Sequence, residues 1–266
     1  LLLRPYPLEV VRCTASEGCG LVQFRHTISP DALYANYGYR SGTNETMRAN
    51  LRDIAAGIEQ MVELKEGDIV LDIGCNDGTL LDSYMAAGID KLGFDPAENV
   101  IETARQRGLD VVNGFFSLQS FARVRPGRKA RVVTSIAMFY DLEDPSRLVR
   151  DVAHLLANDG VWVIELSYLP FMLQRNLFDT ICHEHLEYYT LRPIEWMLQR
   201  EQLQIQKIEF NDINGGSFRL FIRKQAFDHI SGNAVSLLNK VRQDEEILGL
   251  DTDHPYALFR EAALKV

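Results

Sequence analysis

Strand-length apolar segments alternate with helix-like segments through the middle of the chain. Strand-like runs lie at residues 69–73, 91–95, 109–113, 131–136 and 161–166, and helix-like stretches lie between them at 79–87, 97–107 and 145–156. This alternation is typical of a parallel sheet with helices on both faces, because each connection between parallel strands must cross the sheet. The sequence therefore predicts an α/β fold.

Further segments flank this alternation on both sides. Apolar spacing predicts a helix over residues 44–64, and residues 10–13 and 21–24 have the pattern of short strands. After the fifth strand the predicted elements are a helix at 193–202, strands at 204–210 and 218–223, and an amphipathic helix at 230–248. No repeat or low-complexity segment interrupts this order.

Charge and composition exclude several classes of protein. The 266 residues include 28 basic and 37 acidic side chains, and the net charge of −9 disfavours binding to a phosphate backbone. No apolar run reaches the ~18 residues that a membrane span needs. The chain starts at Leu1 without an initiator Met or a signal-peptide layout. We therefore expect a cytoplasmic protein without nucleic-acid or membrane partners, whose first residues are missing.

The sharpest motif is an acid–glycine loop at the end of the first strand of the alternation. Asp72 ends that strand, and Gly74 and Gly78 lie in the turn that opens the next helix. A ligand at this loop would lie outside the carboxyl end of a parallel strand, where open α/β sheets bind ligands. The dinucleotide fingerprint is absent because Asn76 occupies its middle glycine position, and no Gly-Lys-Ser/Thr follows as in a Walker A loop.

A second acid, Asp95, ends the next strand, 23 residues after Asp72. A carboxylate at this position can accept hydrogen bonds from the ribose hydroxyls of a nucleoside. The alternative is that Gly74 and Gly78 only form a turn and that Asp95 only caps a helix. Acids at both strand ends favour the nucleoside site.

An acid–glycine loop without a pyrophosphate fingerprint resembles that of the class I S-adenosylmethionine-dependent methyltransferases. The resemblance covers residues 44–224 and implies a Rossmann-like seven-stranded core that binds S-adenosylmethionine. It implies that Asp72 and the loop line the methionine end of the cofactor, that Asp95 holds the ribose, and that residues 113–115 lie near the adenine. The cofactor-binding residues implied in this way are Tyr39, Ser41, Asn44, Asp72, Gly74, Cys75, Asn76, Gly78, Thr79, Asp95, Pro96, Asn113, Phe115 and Ser135.

Three further segments resemble a narrower family, the nucleotide-sugar C-methyltransferases that act on keto-deoxysugars. They are Tyr-Gly-Tyr-Arg-Ser-Gly-Thr-Asn-Glu-Thr-Met at 37–47, Cys-His-Glu-His-Leu-Glu-Tyr-Tyr at 182–189 and Asn-Gly-Gly-Ser-Phe-Arg at 214–219. That family has a small zinc-binding domain, a methyltransferase domain and a carboxyl-terminal domain. The resemblance implies a partial zinc-binding segment at 1–40, the methyltransferase core at 41–226 and the start of a truncated carboxyl-terminal domain at 227–266.

The His-Glu-His segment suits methylation at carbon. A carbon next to a ketone becomes a nucleophile only after it loses a proton, which needs a base near neutral pH and a donor for the enolate oxygen. The resemblance implies that His185 removes the proton, that Glu184 orients an imidazole, and that Tyr188 or Tyr189 donates to the enolate oxygen. The substrate-binding residues that it implies are His183, Asn214, Gly215, Gly216, Ser217 and Arg219.

Other interpretations of these side chains stay open. His183 and His185 are also compatible with histidines that only pack in the core, and Arg219 with a surface arginine beside the last strand. The amino-terminal pair Cys13 and Cys19 supplies two of the four ligands that a structural zinc site needs. Because the resembling family has two Cys-x2-Cys pairs, only a half site for zinc is expected in this chain.

The chain departs from that family at three places. It has Cys182 where a Tyr is common, Asn214 where a His is common, and no His in residues 135–140 after the fourth strand. We predict a S-adenosylmethionine-dependent C-methyltransferase that methylates a carbon next to a ketone in a nucleotide-linked deoxysugar. The alternatives are an O- or N-methyltransferase of another small molecule and a non-catalytic module that binds the same cofactor.

Overall fold

The computed structural model describes residues 6–15, 17–34, 36–227 and 231–266. The strands are β1 (Val10–Arg12), β2 (Val22–Phe24), β3 (Ile69–Ile73), β4 (Asp90–Asp95), β5 (Asp110–Asn113), β6 (Ala130–Ile136), β7 (Leu156–Ser167), β8 (Glu187–Tyr188), β9 (Leu203–Asn211) and β10 (Ser217–Lys224). The helices are α1 (Pro30–Tyr34), α2 (Glu45–Met61), α3 (Thr79–Asp82), α4 (Glu98–Gln106), α5 (Leu118–Val124), α6 (Pro145–Leu155), α7 (Leu169–Arg175), α8 (Leu191–Arg200), α9 (Gly232–Ile247) and α10 (His254–Ala263).

Seven strands form one mixed sheet in the order β5-β4-β3-β6-β7-β10-β9. The pairs from β5 to β7 are all parallel, and β10 is antiparallel to both β7 and β9. The predicted α/β fold with a seven-stranded Rossmann-like sheet is confirmed. All five residues of β3 are buried, which is typical of a parallel strand covered on both faces.

Local sequence explains where the helices begin. Asn44 caps α2 by accepting a 2.8 Å hydrogen bond from Thr46 N, and the buried face of this helix includes Leu51 and Ile54. Asp144 caps α6 in the same way, and Pro145 occupies the first helical position, where its missing N–H costs nothing. These capped helices cover the sheet and leave its carboxyl-terminal edge open to ligands.

One predicted helix is longer than the observed one, and another begins outside the described residues. The helix predicted at 79–87 is wrong beyond Asp82, because the amides of Met85 and Ala86 donate to Glu59 of α2 and the backbone there leaves the helical path. The helix predicted at 230–248 is observed as α9 from Gly232, and residue 230 lies outside the described residues.

A second sheet joins the amino-terminal segment to the His-Glu-His segment. Its order is β1-β2-β8, and Val22 of β2 is opposite Tyr188 of β8. Carboxyl-terminal helices pack on the same body: Glu245 of α9 accepts a 2.9 Å hydrogen bond from the hydroxyl of Tyr168. Within the part of the chain that the structure describes, every helix is too short or too polar to cross a membrane.

Candidate active site

The loop after β3 has a backbone that requires glycine at two positions. Gly74 and Gly78 have φ of +76° and +77°, in the left-handed region that side chains disfavour. A Cβ added at Gly78 would lie 2.4 Å from Leu109 Cδ1 and 2.9 Å from Ala104 Cβ, and one added at Gly74 would lie 3.0 Å from Met138 Cγ. The loop therefore turns tightly between β3 and α3 and packs closely on its surroundings.

Two buried carboxylates flank this loop. Asp72 accepts a 2.6 Å hydrogen bond from Thr134 Oγ1. Burial raises the pKa of Asp72 to about 7; the bond from Thr134 opposes this rise and the charge of Asp95 adds to it. Asp95 accepts hydrogen bonds of 2.9 Å from the amides of Asn76 and Ala97, and burial raises its pKa too. Each oxygen of Asp95 keeps a second lone pair for a ribose hydroxyl.

The segment before α2 closes over the glycine loop. Ser41 N donates to Asn76 Oδ1 at 3.0 Å, and Asn76 Nδ2 donates to the carbonyl of Tyr39 at 3.1 Å. Gly42 N donates to Asp77 Oδ2 at 2.9 Å. Two motifs that lie far apart in sequence therefore form one wall of the site.

A cavity of about 610 Å³ opens at the carboxyl ends of β3, β4 and β6. The residues predicted to bind the cofactor that line this main cavity are Tyr39, Ser41, Asp72, Gly74, Cys75, Asn76, Asp95, Pro96 and Phe115. The other predicted residues do not line this cavity. Asn44 caps α2, Gly78 packs on α4, and the Thr79 hydroxyl donates a hydrogen bond to Asp77 within the loop. Asn113 donates a hydrogen bond to the carbonyl of Pro96, and the Ser135 hydroxyl accepts one from the Trp162 indole. The structure thus brings most of the predicted cofactor site together.

His185 lies in a small recess that is also lined by Tyr140 and Tyr188. Its Nδ1 is 2.8 Å from the carbonyl oxygen of Thr180; because a carbonyl only accepts, Nδ1 carries the hydrogen and Nε2 keeps its lone pair. The imidazole packs against the Tyr140 ring with 4.7 Å between centroids. Tyr140 is followed in sequence by Asp141, which lines the main cavity. His185 itself is not among the residues that line that cavity, so its imidazole lies beside the cavity rather than on its wall.

Glu184 lies near three side chains of the main cavity, whereas His183 lies toward the amino-terminal segment. Tyr34, Tyr37 and Asp141 line the cavity, and burial raises the pKa of each of them. The nearby charge of Glu184 adds to all three shifts. His183 Nε2 is 3.0 Å from a backbone carbonyl of the amino-terminal segment. The structure therefore separates the first histidine of the motif from the site and keeps its glutamate near it.

The two tyrosines of the motif have different surroundings. Tyr189 is 0% exposed, its hydroxyl donates to Glu187, and its ring packs on Phe139 with 5.3 Å between centroids. The structure thus directs this hydroxyl to Glu187 instead of the enolate oxygen that was expected. The hydroxyl of Tyr188 is buried without a hydrogen-bond partner among the described residues, and burial raises its pKa. Tyr188 therefore keeps a donor available in the recess of His185.

Arg219 is held in a buried network inside the protein. Its Nε donates to Glu165 Oε2 at 2.7 Å, Nη1 to Asp53 Oδ2 at 2.8 Å, and Nη2 to Asn50 Oδ1 at 2.9 Å. Neither Arg219 nor residues 214–217 lie among the residues that line the main cavity. The expected contact with substrate is replaced by these bonds, because β10 pairs with β7 in a register that places Arg219 opposite Glu165.

The sequence analysis did not predict several residues that line the main cavity as site residues, among them Tyr34, Tyr37 and Asp141. Asp141 follows the fourth strand of the alternation at the same sheet edge as Asp72 and Asp95, so the strand-end rule would have found it. Tyr34 ends a five-residue helix with no buried face, and no local pattern indicates where that helix docks.

Cys13 and Cys19 lie close enough for their thiols to hydrogen-bond with each other. Within the residues that the structure describes, no group of three or more Cys, His, Asp or Glu side chains could hold a metal ion. Because a structural zinc ion needs four ligands, the described residues do not fit a zinc site. The half site expected from sequence stays a prediction.

A known protein family matches the part of the chain that forms most of this site. Residues 44–208 match a family described as a methyltransferase domain, and they make up more than half of the chain. The chain belongs to the methyltransferase domain family. The matched residues run from the cap of α2 into β9 and include the glycine loop, Asp95 and the His-Glu-His segment.

Two curated relatives show how far this similarity extends. The chain is 31% identical to the C-methyltransferase NovU of Streptomyces niveus over 226 residues, which are 84% of this chain and 53% of that protein. It is 34% identical to a ubiquinone biosynthesis O-methyltransferase of Bordetella parapertussis over 110 residues, which are 40% of this chain and 45% of that protein. The chain thus spans about half the length of these relatives.

Solved structures of methyltransferases share the fold. The plantazolicin methyltransferase BamL, solved in complex with a triazolic desmethylPZN analog and SAH, has a TM-score of 0.54 at 14% identity, covering 68% of this chain and 86% of that one. Magnesium protoporphyrin IX methyltransferase from Synechocystis, solved with bound SAH, has a TM-score of 0.52 at 15% identity, covering 72% and 91%. At such identities the likeness concerns the fold alone.

Proposed function

We propose that this methyltransferase domain binds S-adenosylmethionine in its main cavity. The observation that carries the proposal is the hydrogen bond from Asn76 N to Asp95 Oδ2, since it joins the glycine loop to the end of β4 at the cavity wall. Membership of the methyltransferase domain family supports the same conclusion. A dinucleotide is disfavoured because Asn76 replaces the glycine that would let a pyrophosphate approach the loop.

The residues present fit this cofactor. Asp95 has free lone pairs for the ribose hydroxyls, and the backbone of Gly74 and Cys75 lies open to the cavity for the methionine end. Phe115 is 48% exposed on the cavity wall, which leaves its ring free to cover the adenine. When bound, the group supplies an electrophilic methyl on a sulfonium. The work of the protein is to align the acceptor with it and to exclude water.

We further propose that the acceptor is a carbon next to a ketone. The similarity to NovU, a C-methyltransferase, runs over 84% of this chain, whereas the match to the O-methyltransferase of Bordetella parapertussis covers 40% of it. His185 provides the base, because the carbonyl of Thr180 fixes its tautomer and leaves a lone pair on Nε2. Glu184 contributes its charge beside the cavity.

The proposed acceptor molecule is a nucleotide-linked keto-deoxysugar. Two segments resemble those of enzymes for such sugars: 37–47 contributes side chains to the main cavity, and 182–189 contributes His185 and Tyr188 to the recess beside Tyr140. Incubation with a ¹³C-methyl-labelled cofactor and a panel of nucleotide-linked keto sugars tests this proposal. We expect NMR to show the label on a quaternary or tertiary sugar carbon that survives acid hydrolysis. Label found on oxygen or nitrogen contradicts transfer to carbon.

Transfer to oxygen is a second candidate, and one observation favours it. His185 does not line the main cavity, whereas the carboxyl of Asp141 does. A hydroxyl acceptor is far more acidic than a carbon and needs a weaker base, so a carboxylate on the wall would serve. The labelling experiment separates the candidates, because an O-methyl carbon and a C-methyl carbon have distinct chemical shifts.

A further inference from the structure

The wall of the main cavity away from the glycine loop holds two polar groups that the proposed function leaves unused. Tyr34 is the last residue of α1, and Asp141 ends the short 3₁₀ turn Phe139–Asp141 that follows β6. Both side chains line the cavity. They come from segments more than 100 residues apart, so tertiary packing alone places them on one wall.

The polar ends of these side chains are buried and unsatisfied. The Tyr34 hydroxyl and the Asp141 carboxyl face each other, but neither Tyr34 Oη nor Asp141 Oδ1 makes a hydrogen bond of normal geometry with the described residues. Both atoms therefore lack the hydrogen-bond partner that buried polar atoms normally have, and both side chains adjoin the space that a ligand would fill.

The surroundings of Asp141 disfavour its charged form. Burial raises the pKa of Asp141 well above its usual range, and the charges of Glu184 and Glu187 raise it further; the contact with Tyr34 opposes the rise. No cation acts on it among the groups that influence its titration in the described residues. Burial is the main cause that raises the pKa of Tyr34. Both groups are thus shifted toward the form that carries a hydrogen to donate.

We propose that Tyr34 and Asp141 are the two hydrogen-bond donors that hold the ketone oxygen of the substrate while its α-carbon is deprotonated. The inference rests on the proposed transfer to carbon. In that step His185 Nε2 takes the proton, the C–H electron pair forms the carbon–carbon double bond, and the carbonyl π pair moves onto oxygen. A tyrosine and a neutral aspartic acid stabilise such an oxyanion in an apolar site elsewhere. We call Tyr34 and Asp141 the donor pair.

The arrangement of the base supports this division of work. Tyr140 packs on the His185 ring with 4.7 Å between centroids, and the next residue is Asp141. Asp141 is thus the sequence neighbour of the residue whose ring packs on the proposed base. Tyr37 also lines the cavity, and burial together with the charge of Glu184 raises the pKa of its hydroxyl, which disfavours a negative charge there that would oppose the oxyanion.

Infrared spectroscopy tests the protonation state without any substrate. We expect the S-adenosylhomocysteine complex at pH 7 to show the carbonyl stretch of a neutral carboxylic acid that Asp141→Asn removes. The exposed control Asp179→Asn should leave that band unchanged. An ionised Asp141 overturns the inference, whatever the substrate proves to be.

Proton exchange tests the donor role and separates it from the proposed function. The probe is thymidine diphosphate 4-keto-6-deoxyglucose in deuterium oxide, with S-adenosylhomocysteine bound. We expect Asp141→Ala and Tyr34→Phe to slow exchange at the α-carbon about 10²–10³-fold, as for loss of an oxyanion donor. Asp141→Asn, which keeps an N–H donor, should retain most of the exchange rate. The exchange rate of the wild type should fall at high pH, whereas that of Asp141→Asn should not.

The two failures have different signatures. A wild-type protein that exchanges no α-proton contradicts the proposed function, and the role of the donor pair falls with it. A wild-type protein that exchanges, together with Asp141→Ala and Tyr34→Phe variants that exchange at the same rate, overturns the donor pair alone. Circular dichroism and cofactor titration on each variant verify that the fold and the cofactor site are intact.

Discussion

The amide of Asn76 donates a 2.9 Å hydrogen bond to Asp95 Oδ2, which ties the turn after β3 to the end of β4. The other oxygen of Asp95 accepts from Ala97 N at the start of α4. One carboxylate therefore fixes two loops at the carboxyl edge of the sheet while it faces the cavity. The arrangement gives Asp95 a structural role and a binding role together.

Replacement of Asp95 should weaken cofactor binding. We expect Asp95→Ala to lower the affinity for S-adenosylhomocysteine by roughly 1.5–3 kcal/mol, the scale of a lost hydrogen bond to a charged group. Calorimetric titration measures this, and the exposed control Asp82→Ala should bind as the wild type does. NAD should not bind; tight NAD binding with no signal from S-adenosylhomocysteine would contradict the proposed site.

Gly78 should tolerate no side chain. Its φ of +77° costs an alanine about 1–2 kcal/mol, and the Cβ would lie 2.4 Å from Leu109 Cδ1, which adds about 1–3 kcal/mol of overpacking. The matched control is Gly108→Ala, where φ is +81° but nothing lies within 4 Å of the added Cβ. Urea unfolding should therefore show a larger loss for Gly78→Ala. Equal losses would mean that Leu109 moves away at no cost.

His185→Asn should abolish methyl transfer and keep the fold and the cofactor affinity. Asparagine keeps a hydrogen-bonding side chain of similar length but accepts no proton at neutral pH. Loss of a general base typically costs 10²–10⁴-fold in rate. His154→Asn is the control, because that imidazole also contacts a backbone carbonyl but lies on α6 outside the site. A His185→Asn variant with the wild-type rate would leave His185 a structural role only.

Arg219 should matter for stability through Glu165. Both side chains are buried, and Arg219→Met would leave the Glu165 carboxylate without its ion pair at a cost of about 3–5 kcal/mol. The double variant Arg219→Met/Glu165→Gln should recover part of the loss, because the uncompensated charge is gone. Arg48→Met, which breaks a surface pair, is the control and should change little. An Arg219→Met variant that unfolds like the wild type would mean that the network is not stabilising.

Asp72 should make stability depend on pH. Its pKa is about 7 in the folded protein and near 3.9 when unfolded, so the folded state binds the extra proton between these values. The buried charge of Asp72 does not lower the free energy of unfolding below pH 4. Its cost grows as the pH rises and reaches its full value above pH 7. We expect Asp72→Asn to be more stable than the wild type at pH 8, by at most about 4 kcal/mol, and equal to it at pH 4.

Denaturant unfolding at several pH values measures this difference. The control Asp82→Asn changes an exposed carboxyl of the neighbouring helix and should not alter the pH profile. A gain in Asp72→Asn that is the same at pH 4 and pH 8 would show that the charge of Asp72 is not its cause.

Sequence patterns predicted the sheet well and the helix after the glycine loop poorly. The first strand of the alternation was predicted at 69–73 and observed as β3, Ile69–Ile73, because a strand buried on both faces is an uninterrupted apolar run. The helix predicted at 79–87 stops at Asp82, since Glu59 takes the amides of Met85 and Ala86. That contact joins residues 26 apart and has no local signature.

The sequence by itself determined the parallel strands β3 to β7, the tight loop at Gly74 and Gly78, and the acids at the ends of β3 and β4. The spacing of apolar residues and the conformational freedom of glycine are local properties, so neighbouring residues in the sequence are enough to predict them. Only the tertiary structure decided which distant groups meet. The register between β7 and β10 places Arg219 beside Glu165, 54 residues away in sequence. Packing places Tyr34 opposite Asp141. Neither contact could be predicted, because local patterns carry no information about contacts between distant segments.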